Sequence, residues 1–142
     1  MKAKQFINNQ RGFTLIEIIA VLVLLGILAA VAVPKYMDLA AEARNQAAQG
    51  QIAEVKGRLA IAMASFMLQN GGVKPATGAA LVTAANTLTA DSCPTAEAGV
   101  DEGDFTFSCT GAAAAQAVTI TVLAVQDETL AAPVTDTYNF AD

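Results

Sequence analysis

Residues 13–33, FTLIEIIAVLVLLGILAAVAV, form a 21-residue run whose only polar members are Thr14 and Glu17. At about 1.5 Å per residue, an α-helix of that length reaches roughly 30 Å, the thickness of a bilayer's hydrocarbon layer. The run accounts for the composition. A hydrophobic content of 54% and a mean hydropathy of +0.46 are too high for disorder and high for a soluble domain, and 142 residues leave room for one compact domain besides.

The flanks assign a direction. MKAKQFINNQRG carries Lys2, Lys4 and Arg11 and no acid, whereas five Lys or Arg and 13 Asp or Glu follow Gly12, a formal charge of −8. The positive-inside rule keeps residues 1–12 in the cytoplasm and exports the remainder. An acidic surface of this kind repels nucleic acid and anionic headgroups, which excludes a phosphate-tracking function. The two cysteines, Cys93 and Cys109, both lie in the exported part, where an oxidising compartment favours a disulfide between them. The alternative is two buried thiols.

Glu17 tests how the run is used. A secretory signal peptide cut after the AVA at 30–32 accounts for the basic flank, but the run is long for an h-region, Glu17 interrupts it, and Pro34 sits just beyond the bond to be cut. A permanent single-span anchor accounts for the length, yet leaves a carboxylate costing about 3 kcal/mol at depth with no partner in its own helix.

A third reading fits all three features. Gly12, then Phe13-Thr14-Leu15-Ile16-Glu17, then an apolar run ending near Pro34 resembles the class III signal of type IV prepilins and type II secretion pseudopilins. AVPKYMDLAAEAR, residues 32–44, is similar to the corresponding stretch of type IVa pilins of the mannose-sensitive haemagglutinin type. The resemblance implies cleavage between Gly12 and Phe13 by a prepilin peptidase that also N-methylates Phe13. It further implies that Glu17 meets the methylated Phe13 amine of a neighbouring subunit in the assembled filament. Beyond about residue 60 the likeness is one of architecture only.

From residue 35 to about 70 the pattern becomes that of a half-exposed helix. Tyr36, Leu39, Ala40, Ala43, Ala47, Ile52, Val55, Leu59, Met63 and Phe66 recur at three- and four-residue spacing and draw one apolar face. Glu54 and Arg58 form an i, i+4 pair, and Asn70-Gly71-Gly72 stops the helix. Gly26 and Pro34 bound the segment where a kink or local melting is expected, since proline removes a backbone bond and clashes one turn back.

After Gly72 a short helix is expected over Gly78 to Leu88. Strands are expected over 104–109, 116–125 and 134–141, separated by TGAAAA and QDETLAAP. Alternation places Val118, Ile120, Val122 and Ala124 on one face of the middle strand and Thr119, Thr121, Leu123 and Val125 on the other. The fold class is therefore α+β: a long N-terminal helix, hydrophobic in its first half, packed by its second half on an antiparallel sheet of three to four strands. This is the fold that the resemblance implies. The expected divisions are a leader over 1–12, an apolar assembly helix over 13–34, an amphipathic helix over 35–70 and a globular head over 71–142.

Asp101, Glu102 and Asp104 around Gly103 form a weak calcium candidate beside the simpler reading of a solvated turn; no other metal and no cofactor is indicated. With no histidine, no phosphate-cradling glycine loop and no nucleophile beside a base, the sequence offers no catalytic constellation. The expected function is structural: a major pilin that polymerises with other copies into an extracellular filament for adhesion or motility. Its partners would be the prepilin peptidase, the inner-membrane assembly machinery and, before assembly, the inner membrane itself with the head in the periplasm. The alternative is a pseudopilin acting in type II protein secretion.

Overall fold

The computed structural model of the chain describes residues 12–89 and 92–141. Its first element, α1, is a helix over Leu15–Gln69. Thr14 starts it: its hydroxyl and its carbonyl accept the Glu17 N–H at 3.3 and 3.1 Å, supplying a partner to one of the amides that a helix N-terminus otherwise leaves unpaired. Its end is equally local. Gly71 takes the left-handed conformation at φ 63°, and the Gly72 N–H reaches back to the Met67 carbonyl at 2.7 Å, the long bond of a Schellman cap.

The chain divides into two units, Met1–Leu39 and Ala40–Asp142. In the first, every described side chain is exposed, including all the large apolar ones of the run. The helical assignment continues through Gly26 and Pro34.

In the second unit α1 buries Ala48, Gln51, Ile52, Val55, Leu59 and Ala62, with Ala47 and Met63 packed partly beside them. This stripe is shorter than the sequence predicts. Tyr36, Leu39, Ala40 and Ala43 continue its period but stay exposed, because periodicity marks an apolar face without saying how much of it is covered. A second helix, α2 (Gly78–Leu88), matches the predicted bounds. Thr77 caps it by accepting the Ala80 N–H at 3.2 Å.

Four strands form an antiparallel meander in the order β1 (Val100–Glu102), β2 (Phe105–Gly111), β3 (Ala117–Val125) and β4 (Glu128–Asn139). The core joins the α1 stripe to Leu81, Val82 and Ala85 of α2 and to Phe107, Cys109, Val118, Ile120, Val122 and Val125 of the sheet, with Leu130 and Phe140 closing one side. Fold class and the strand count of three to four are thus as the sequence predicts.

Two details depart from expectation. QDETLAAP is not a separator: Gln126 and Asp127, at φ 54° and 61°, make a two-residue turn, and β4 begins at once. Positive φ at both central residues is the mark of a type I′ hairpin, and neither residue is the glycine or asparagine that would advertise it. Pro133 is tolerated within β4 because β4 is an edge strand. It also lies where the register jumps, Val122 pairing Val134 and Ala124 pairing Thr129.

The second departure is on β3. Phe107 pairs Val122 but Thr106 pairs Ala124, so Leu123 is an extra residue against β2. A bulge of one residue reverses the alternation beyond it. Val125 is consequently buried where Ala124 was expected.

Candidate assembly site

The predicted assembly residues lie at the start of the first unit. Gly12 and Phe13 precede the helix, both exposed, Phe13 at 79%. They form an uncovered junction at which a peptide bond is open to another protein. The predicted leader residues 1–11 lie outside the described residues. Glu17 is exposed in the first turn of α1, three residues after the capping Thr14. Thr-x-x-Glu is the sequence signature of a capping box, a signal within GFTLIE that the family resemblance overshadowed. An acid here also complements the positive end of the helix dipole. The reciprocal half of that box, a bond from the Thr14 N–H to the Glu17 carboxylate, is not formed among the described residues, so the local contribution left to the Glu17 side chain is to complement the dipole at the helix start.

Behind these residues the segment offers only hydrocarbon. Leu15, Ile16, Leu22, Leu24, Leu28 and Val31 are each more than 60% exposed, and among the described residues α1 is the one helix long and apolar enough to cross a membrane. A β-carbon built at Gly26 would meet nothing within 4 Å, so that glycine is not required by any packing within the chain.

Charges on the second half of α1 hold the sheet. Arg44 pairs with Glu128 at the β3–β4 turn, Lys56 with Asp136 of β4 at 2.6 Å, and Arg58 with Glu102 of β1 at 2.7 Å and with Glu54 at 2.6 Å. The sequence exposes only the last of these, because spacing reveals pairs within a helix and not pairs across elements. The Glu102 carboxylate, ahead of an opposing loss of solvation, raises the Arg58 pKa above its ordinary value. Lys56 donating to Asp136, reinforced by the Thr137 N–H, holds the Asp136 pKa below its ordinary value.

The calcium candidate does not assemble. Asp101 accepts from the Thr106 hydroxyl at 2.5 Å and Glu102 faces Arg58. Among the described residues no group of three His, Cys, Asp or Glu side chains is placed to hold a metal. Cys93 and Cys109 are joined in a disulfide, which ties the stretch after α2 to β2. Asn86 makes reciprocal 2.9 Å bonds with the Cys93 backbone, and the Cys109 N–H donates to the Pro94 carbonyl at 2.6 Å.

Residues 7–33 match the family model described as the prokaryotic N-terminal methylation motif. Among known proteins, the chain is 41% identical over 59 residues to the type IV major alpha-pilin of Moraxella bovis, covering 42% of this chain and 36% of that one. It is 44% identical over 52 residues to the type IV narrow pilus major component PilA5 of Thermus thermophilus, 37% of this chain and 45% of that one. The chain thus carries the methylation motif and, over the matched residues, is similar to type IV pilins. Type II secretion system core protein G of Pseudomonas aeruginosa matches over a similar span, 46% identical over 52 residues and 37% of each chain. The matches span between about a third and a half of these pilin-family relatives. No solved structure matches the chain.

Proposed function

We propose that the chain is the structural subunit, the major pilin, of a type IV pilus. The observation that carries this is the methylation motif over residues 7–33, which from Leu15 onward coincides with an exposed apolar helix starting two residues after Phe13. Residues 1–12 act as the leader, and a prepilin peptidase cuts between Gly12 and Phe13 and methylates the new terminus. Residues 13–34 hold the subunit in the inner membrane with the head in the periplasm until assembly machinery extracts it. Residues 35–70 then present the head, residues 71–142, on the surface of an extracellular filament used for adhesion or motility. No catalytic step and no nucleic acid enter this function.

In the filament core, lipid contact is replaced by helix packing, and a carboxylate there has to be paired. The Glu17 carboxylate takes the Phe13 amine of the next subunit, and local loss of helix between Gly26 and Pro34 adjusts the packing. Two variants separate this role from capping. Glu17→Gln keeps the capping-box residue class without charge, whereas Glu17→Leu removes both. Both should insert and be processed yet yield few fibres by electron microscopy. Normal fibres from Glu17→Gln would sink the pairing and leave only the capping role. Gly12→Val should leave uncleaved precursor on intact-mass analysis.

The identity to core protein G supports a second reading, a pseudopilin acting in type II secretion. Long surface fibres labelled by an antibody to the head select the pilin; a secretion defect without fibres selects the pseudopilin.

A further inference from the structure

We propose that Asn70 is a site of spontaneous deamidation, placed by the fold at the C-terminal cap of α1. Six asparagines occur in the chain, and Asn70 alone is followed by glycine. Both residues of the Asn70-Gly71 pair are exposed. Gly71 carries no side chain to obstruct its own nitrogen, and a β-carbon there would meet nothing within 4 Å. The attacking atom is also available. The Met67 carbonyl that would take the Gly71 N–H in a continuing helix accepts the Asn70 and Gly72 N–H groups instead, at 3.2 and 2.7 Å, and the Gly71 N–H makes no hydrogen bond among the described residues.

The chemistry needs only water. Hydroxide removes the Gly71 amide proton, the nitrogen attacks Asn70 Cγ, a C–N bond closes a five-membered succinimide, and Nδ2 leaves as ammonia. Water then opens the ring at either carbonyl. Opening at Cγ regenerates the normal main chain as aspartate, and opening at the main-chain carbonyl gives isoaspartate, with the chain rerouted through the side chain. No charge or leaving group is left unaccounted for.

The other described asparagines lack this arrangement. Asn45 and Asn86 lie within α1 and α2 and Asn139 within β4, where regular pairing holds the backbone, and Asn86 is fixed further by its two bonds to Cys93; Asn70 lies outside these elements, and only its one exposed side-chain bond, to the Phe66 carbonyl, has to open first. None precedes a glycine.

The consequence falls on the helix end. Asn70 Nδ2 now donates to the Phe66 carbonyl at 2.8 Å, one of the last carbonyls of α1. A carboxylate cannot donate, and it adds negative charge where the helix dipole is already negative. It also places the first charge in the stretch from residue 59 to 73. The isoaspartate form lengthens the main chain inside the Schellman cap. Ageing protein thus acquires an acidic isoform with a loosened last turn.

The test uses the full-length chain in non-denaturing detergent, incubated at neutral and mildly alkaline pH and sampled by peptide mapping with mass spectrometry. The peptide containing Asn70 should gain one mass unit, split into aspartate and isoaspartate forms, and do so in proportion to hydroxide, ahead of the peptides of Asn45, Asn86 and Asn139. The Asn70→Gln variant, which would need a larger ring, should show no conversion there while the other sites behave as before. An Asn70 that stays intact, or that converts no faster than any of the other three, overturns the proposal.

Discussion

Gly78→Ala should be among the most damaging single-methyl additions in the second unit. A β-carbon at Gly78 would lie 1.8 Å from the Ala117 carbonyl oxygen and 2.7 Å from the Ala112 nitrogen, all backbone and none able to swing aside. The first turn of α2 therefore has to withdraw from the β2–β3 connection. Withdrawal strains the two bonds that anchor it, Gly78 N–H to the Ala115 carbonyl at 2.8 Å and Ala79 N–H to the Ala112 carbonyl at 3.3 Å. Overpacking costs about 1–3 kcal/mol and each backbone bond about 1 kcal/mol, against a gain in helix propensity below about 1 kcal/mol. The expected loss is about 3 kcal/mol, which at a typical slope lowers the urea midpoint by about 1–2 M. The assay is urea unfolding of the full chain in detergent, followed by circular dichroism. Gly57→Ala is the control: it is exposed on α1 with nothing within 4 Å of the added carbon, and should gain about 0.5–1 kcal/mol. A Gly78→Ala midpoint within error of the wild type, alongside the expected gain at Gly57, would falsify the close-approach argument.

Replacing Cys93 and Cys109 together by serine should cost about 3 kcal/mol on the same assay, the loop-closure value for a separation of this length, and reduction of the wild type should match it. Arg58→Met removes the contacts to Glu54 and Glu102 while keeping an apolar stem, and should cost up to about 1 kcal/mol, less in high salt; an effect indifferent to salt would show that packing rather than charge holds β1. Asp136 has a lowered pKa, so its contribution is present above the ordinary value near 3.8 and is lost as pH falls below that value and through the lowered one. Asp136→Asn should accordingly flatten the acid limb of the stability profile below about pH 4, and a limb unchanged from wild type would remove Lys56–Asp136 from the account.

Legibility in the sequence followed the range of each signal. α2 was readable to the residue because Thr77 and the short apolar period are local, and the end of α1 was readable because Asn70-Gly71-Gly72 is. The Gln126-Asp127 turn was not, since its left-handed residues are ordinary in type. Nor was the bulge at Leu123: LeuAlaVal reads as smooth alternation, and only pairing against β2 shows that one residue is extra. Gly78 reads in the sequence only as the start of a helix and Gly111 only as part of the TGAAAA separator, because their close approaches, to the Ala112 and Ala117 backbone and to the Gly78–Ala79 backbone, are made across elements. For residues 13–34, residue types and order were legible while partners were not, because nothing within the described chain covers those side chains.

The distribution of charge bears on what can hold copies together. After Gly12 the chain has five cations against 13 acids, and three of the five, Arg44, Lys56 and Arg58, are engaged by carboxylates of the same chain. Those pairs fix the sheet on α1 at three separated points, β1, the β3–β4 turn and β4, and so set its register on the helix. They also withdraw most of the positive charge that could offset the acids of a neighbour. Between acidic heads the net force is repulsive and reaches about 10 Å at moderate ionic strength. Attraction in the proposed filament then has to come from residues 13–34, where Glu17 is the one charged side chain and Thr14 the one other polar side chain. A carboxylate placed alone in that attractive segment is costly in every arrangement except one that brings a cation to it. That is the physical ground on which the charge-free Glu17→Gln variant decides between a pairing residue and a helix cap.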